Sequence, residues 1–401
     1  MPAGRTRVPG IVGLAVVAVA ACGGGGSRVA DSGPADSGAL TVPRRWRLGA
    51  SSGMPRANRE ALLLPSDRIF VSASGVFPGQ IYDPAADAWT RIRGVGGAAY
   101  ETAALTDGRV ILAGGDGQPE LLVPYDFCCA CSVLFDPEST DAWWTEILHT
   151  PRSHHRDVVL PDGDVVVVGG SGCEDISGGA GTEFRWFALA SAERLHPDTG
   201  LWEELPPMST ARWMPSVTLL ASGEVLVAGG IDDAGTRVTT AELYDPAARA
   251  WRTVAPMRAG RAWHAAARLG SGRVLVAGGD VSETAATDTV EIFDPSTETW
   301  SPAPPLPGPV ADLAITELPF GGVLVTGGRN PTPGFGHGTP SGAAVVFDET
   351  SGAWIDAGTL NVPRYGHSAV LLPDGRVVIV AGGRESHRYA EPAEISEGAF
   401  P

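Results

Sequence analysis

Apolar residues along this chain come in short runs, and almost every run is cut by a turn. Residues 158–170 read VVLPDGDVVVVGG, 217–230 read VTLLASGEVLVAGG, 266–279 read AARLGSGRVLVAGG and 370–383 read VLLPDGRVVIVAGG. Valine-rich runs this short, separated by Asp-Gly or Ser-Gly, predict β-hairpins, because Asp and Gly supply the positive φ that a tight turn demands. Each hairpin ends in Gly-Gly or a degenerate form of it: Ser74-Gly75, Gly114-Gly115, Gly169-Gly170, Gly229-Gly230, Gly278-Gly279, Gly327-Gly328 and Gly382-Gly383. From Gly115 onward the second glycines lie 55, 60, 49, 49 and 55 residues apart, so loops of variable length separate fixed strands. A third segment follows in the forms QIYDP, SVLFDP, ERLHP, ELYDP, EIFDP and VVFDE, each leading to a tryptophan: Trp89, Trp143, Trp202, Trp251, Trp300 and Trp354. Four antiparallel strands per unit, repeated radially, predict propeller blades.

The seventh unit stops at AEISEGAFP, before any tryptophan strand, and TVPRRWRLGA at 41–50 carries Trp46 before any blade has begun. An N-terminal strand is therefore expected to dock beside the last three strands and remove the open edges. One aromatic at a fixed place in each unit predicts packing between blades rather than a ligand site. The order of hairpin, Gly-Gly, an aromatic near Asp-Pro and then tryptophan resembles the kelch repeat over residues 41–401. The expected fold is thus all-β, a seven-bladed kelch-type β-propeller closed by an N-terminal strand.

Kelch propellers divide between binding and catalysis, so the resemblance fixes shape and not activity. In RYGHSAVLLPDGR, His367 stands where galactose-oxidase-like copper radical oxidases have a ligand histidine, but Tyr365 is displaced from the family's axial tyrosine position. Asn58 stands where that family has its cysteine, and the chain ends at Pro401 without a downstream domain to give a second histidine. That oxidase chemistry is not expected, and no metal or other cofactor is. The enzymatic alternative is a metal-independent sugar epimerase or mutarotase like those known among kelch proteins, with His155, His264 and His367 beside Glu101 or Asp312 as acids and bases.

Residues just before the first strand and just after Gly-Gly share one rim around the central axis. Aligned on the glycines, one column reads Arg56, Gly97, Arg152, Arg212, Arg261, Val310 and Arg364. Neighbouring columns bring Trp213 and Tyr365, then His154 and Trp263, then His155, His264 and His367. Arginine forks beside aromatic faces suit a carboxylate, an acidic peptide or a sugar acid, so these residues form the expected ligand-binding rim. A structural reading stands beside it, in which the arginines bond loop carbonyls and the histidines hold turns. The insertion after Cys173, EDISGGAGTEFRWFALA, would bring Trp186 and Phe187 to the same rim.

Charge narrows the partners. A net charge of −17, with no lysine in the chain, repels phosphate backbones and excludes nucleic acid as an expected partner. Glycine (53) and proline (33) favour tight turns over long helices, in keeping with the strand reading.

At the N-terminus Arg5 and Arg7 precede IVGLAVVAVAA, a run too short to span a bilayer comfortably, which reads as a signal peptide over 1–21. VAVAAC resembles the bacterial lipoprotein lipobox, which implies lipidation of Cys22, and residues 22–40 read as a flexible Gly/Ser-rich tether. Gly23, in place of an aspartate, points to the outer membrane or cell surface. The remaining cysteines, Cys128, Cys129, Cys131 and Cys173, are even in number and so predict disulfides in an exported protein, preferably Cys128–Cys131 with Cys129–Cys173. The alternative, zinc or copper held by these thiols with His154 or His155, lacks a recognised ligand spacing. The sum is a monomeric, lipid-anchored, non-catalytic recognition or scaffold module for a protein segment or glycan.

Overall fold

The computed structural model describes residues 40–53, 61–72, 79–92, 101–115, 130–139, 142–176, 184–332, 335–384 and 392–401. Cys22, Arg56, Cys128 and Cys129 lie outside the described residues. Thr41–Pro401 form one compact unit. Among the described residues all regular structure is β, arranged as seven four-stranded antiparallel sheets. The fourth sheet is representative, with Ser216–Leu219, Val225–Ala228, Ala241–Asp245 and Ala250–Val254 in that order. The innermost strands adjoin one another from blade to blade, and the seventh, Ser368–Leu371, returns to the first, Ala61–Leu63.

Strand position explains the residue pattern. Second strands such as Val165–Val168, Val225–Ala228 and Val377–Val380 are buried at every residue, because both faces of each blade are covered by neighbours. First strands such as Ser216–Leu219 and Ala265–Arg268 alternate buried and half-buried residues, one face packed and the other turned to the channel. The core therefore lies between sheets: Leu226 and Leu243 of the fourth blade pack with Val274, Val276 and Phe293 of the fifth.

Gly-Gly is a requirement of that stacking. Gly229 has φ of 67°, and a Cβ there would stand 2.6 Å from the Arg261 carbonyl oxygen of the next blade. Gly230 donates its N–H to the same oxygen at 2.9 Å. Among those whose side chains are described, the predicted tryptophans join blades, donating the indole N–H to the preceding sheet. Trp251 reaches Pro206 O, Trp300 reaches Ala255 O and Trp354 reaches Pro304 O, all at 2.8 Å.

The seventh sheet joins the two ends of the unit. Trp46–Ser51 pairs antiparallel with Pro392–Ser396, Trp46 opposite Ser396, and the Trp46 indole donates to Ala357 O at 3.0 Å. Asp87 of the first blade then latches this strand, accepting from Ala50 N at 2.7 Å and from the Tyr82 hydroxyl at 2.5 Å. Three further hairpins leave the blades between second and third strands: Ser171–Asp175 with Phe184–Ala188, Asp280–Ser282 with Ala285–Ala286, and Arg329–Thr332 with Phe335–Pro340.

Candidate functional site

The arginine column is the largest correction to the expected rim. Arg152, Arg212, Arg261 and Arg364 are 0 % exposed, so none offers an open fork to a ligand. Each is clamped onto a glutamate of its own blade's third strand: Arg152 to Glu193 at 2.6 Å, Arg212 to Glu242 at 2.7 Å, and Arg261 to Glu291 and Arg364 to Glu394 at 2.8 Å. In the fourth blade Arg212 Nη1 also donates to Gly229 O at 3.0 Å and Thr240 O at 2.8 Å. Glu242 in turn accepts the Ser209 and Thr210 amides. The clamp thus fastens the incoming crossover segment to the blade it starts, and it satisfies groups that would be costly to bury alone.

The histidines of the third column plug the seams between blades. A Cβ on Gly114, Gly229 or Gly327 would meet the rings of His155, His264 and His367 respectively. His367 shares a hydrogen bond with Thr326 Oγ1 at 2.9 Å, and His264 shares one with Ser216 Oγ at 2.9 Å. Burial, then the nearby Arg364 charge, pushes the His367 pKa down to about 3. Burial, then Arg261 and Arg156, does the same to His264, again to about 3. Burial and the Arg152 charge hold His155 well below the ordinary histidine value. All three are neutral near pH 7, which removes them as acid–base pairs in that range. His264 and His367 border a central cavity of about 390 Å³ lined by all seven inner strands, together with Arg156.

Of the remaining rim residues, His154, Trp213 and Trp263 assemble in one arc at the mouth. His154, Met214, Trp263 and Asp312, each two residues past the clamp position, share a left-handed backbone with φ between 49° and 58°, and Gly366 completes the column. Bulky residues rarely adopt that conformation, and it is sustained here by bonds between blades, Met214 N to His154 O and Asp312 N to Trp263 O. His154 packs edge-on to Trp213 and Trp213 edge-on to Trp263, both at 5.7 Å between ring centres. Beyond Trp263, Arg329 lies over its ring and bridges Asp280 at 2.7 Å and Asp312 at 3.3 Å. Tyr365 sits apart, over Gly383 of the seventh blade.

Beside this arc lies a pocket of about 340 Å³ walled by His154, Trp186, Phe187 and Trp213 and floored by Asp232 and Asp233. The third-blade hairpin brings Trp186, and the Ala188 amide on the same strand donates to Asp233. Asp232 and Asp233 escaped the sequence reading, although they follow Gly-Gly after a single isoleucine in GGIDDAG, where the alignment places the rim. Cys173, opposite Trp186 in the hairpin, and Cys131 are both disulfide-bonded.

Residues 220–258 and 264–307, the fourth and fifth blades, match the Kelch motif. Comparison with curated proteins gives no significant match. Among solved structures, that of YjhT superposes with a TM-score of 0.55 at 15% identity, covering 73% of this chain and 92% of its own. A fungal alcohol oxidase of the AA5 family, in complex with copper, superposes with a TM-score of 0.69 at 16% identity, covering 88% of this chain and 76% of its own. Such identities speak for fold alone. Among the described residues no three His, Cys, Asp or Glu side chains converge as a metal site of those ligands would need, and His367 Nε2 is engaged by Thr326. Seven radial four-stranded sheets make the chain a seven-bladed β-propeller, and kelch motifs are matched in its fourth and fifth blades.

Proposed function

We propose that the protein is a lipid-anchored recognition module of the cell envelope whose propeller mouth binds a glycan without transforming it. The pocket of Trp186, Phe187, Trp213, Asp232 and Asp233 carries this reading. Indole faces stack on the apolar faces of a pyranose, and carboxylates accept its hydroxyls, a pairing of apolar walls and few polar anchors typical of small-ligand sites. Of the ligands the sequence suggests, a glycan suits this pocket better than an acidic peptide, since the arginine forks are enclosed and the pocket's charged groups are acidic. The epimerase alternative would lose His155, His264 and His367 as acids and bases and fall back on His154 and the two aspartates. The anchor rests on the lipobox-like VAVAAC before Gly23.

A glycan array followed by titration tests the reading. A bound sugar is expected to lose about tenfold or more in affinity in Trp213→Ala and Asp233→Asn, as losing one stacking face or one charge-assisted hydrogen bond implies. It should also show no acceleration of anomer exchange, and Cys22→Ala should move the protein from the membrane to the soluble fraction. Interactions untouched by both pocket variants would end the proposal.

A further inference from the structure

The sixth blade departs from the arginine clamp at four positions at once. Val310 stands in the arginine position, 17 residues before Gly327 as Arg212 is before Gly229, and Val345 stands in the glutamate position. Ala343 replaces the residue that supplies a hydroxyl in Ser191, Thr240 and Thr289. Pro307 replaces the residue whose amide feeds the glutamate in His149, Ser209, Arg258 and Asn361. Proline has no N–H, so the donor has gone together with its acceptor. The space has not closed over the loss. A cavity of about 570 Å³ remains, lined by Pro307, Val310, Val325, Gly327, Ala343 and Val345 among others, with no charged side chain in its walls among the described residues.

We propose that this vacated slot is a second binding site, for a neutral planar molecule with an apolar body and an N–H donor, of the chemical class of indole. In the fourth blade the guanidinium plane is received by the carbonyls of Gly229 and Thr240, and the corresponding backbone positions here, Gly327 and Ala343, both line the cavity. Backbone carbonyls are the same whatever the side chain, so the slot still asks for planar N–H donors. Without the glutamate, however, a cation would be desolvated with no counter-charge, which selects a neutral ligand. The valine walls, part of the core cluster with Leu306 and Val325, favour an apolar ring as apolar cavities in general do.

Calorimetric titration of the full chain with indole, with benzofuran as the same shape lacking N–H, and with guanidinium tests this. Indole is expected to saturate one site, benzofuran to bind about tenfold more weakly for want of one hydrogen bond, and guanidinium not to bind there. Val345→Phe, which fills the slot, and the pair Val310→Arg with Val345→Glu, which rebuilds the clamp, should each cut indole affinity by about tenfold or more. Trp213→Ala should leave it unchanged, separating this site from the mouth. Failure of indole to saturate, equal binding of benzofuran, a preference for guanidinium, loss on Trp213→Ala, or undiminished binding in both slot variants would overturn the proposal.

Discussion

At the scale of single residues, the arginines show how far a column in a sequence can be read without its partner. Five arginines aligned before the first strands suggest a charged rim, yet the deciding residues are Glu193, Glu242, Glu291 and Glu394 on the third strands. The pairing was legible, because the blade with valine at position 310 also has valine at 345 in the place of the glutamate. It is hard to see in the chain because the partners stand 30 to 41 residues apart, on opposite sides of a loop of variable length. A buried ion pair contributes little net stability over an apolar pair, but removing one partner strands the other. Arg261→Ala should therefore cost about 3–5 kcal/mol in chemical denaturation. Arg261→Met with Glu291→Leu should recover most of that loss, and neither variant should alter binding at the mouth.

At the scale of elements, the blade strands were visible because burial on both faces, or on one, writes itself into runs and alternations of apolar residues. The short hairpins were not. Asp280–Ser282 with Ala285–Ala286 and Arg329–Thr332 with Phe335–Pro340 are two-stranded ribbons, and neither sequence alternates apolar with polar positions in a way that marks a buried face. The hairpin of Ser171–Asp175 and Phe184–Ala188 bears most on function, since it holds Trp186 over the pocket and is tethered through the disulfide at Cys173. A two-stranded ribbon is marginal by itself. Reduction should lower the thermal midpoint, in line with the about 2–4 kcal/mol typical of a disulfide, and weaken mouth binding more than a matched loss of global stability would. Thermal melts and titrations with and without reductant measure both.

At the scale of the whole ring, stability is a matter of seams, and three seams are plugged by neutral histidines. His264 and His367 have folded-state pKa values pressed to about 3, and His155 is pressed in the same direction. The unfolded chain takes up protons on these rings below about pH 6.5 while the folded chain refuses them, so their contribution is whole above that pH and fades as pH falls toward 3. His264 and His367 should each add about 1.4 kcal/mol per pH unit to the slope of stability in that window, and His155 acts in the same direction. Denaturation midpoints between pH 4.5 and 6.5 should therefore flatten in His367→Gln by about one histidine's share.

The sheet that pairs Trp46 with Ser396 also sets an order of events. Its outermost strand is among the earliest parts of this unit to be made and its partner among the last, so every other blade can form before the seam is sealed. Through that interval the early strand is a free tongue and the nearly finished circle an open groove. A neighbouring chain in the same condition can lend its tongue to fill the gap, making the speed of joining head to tail a guard against linked rings.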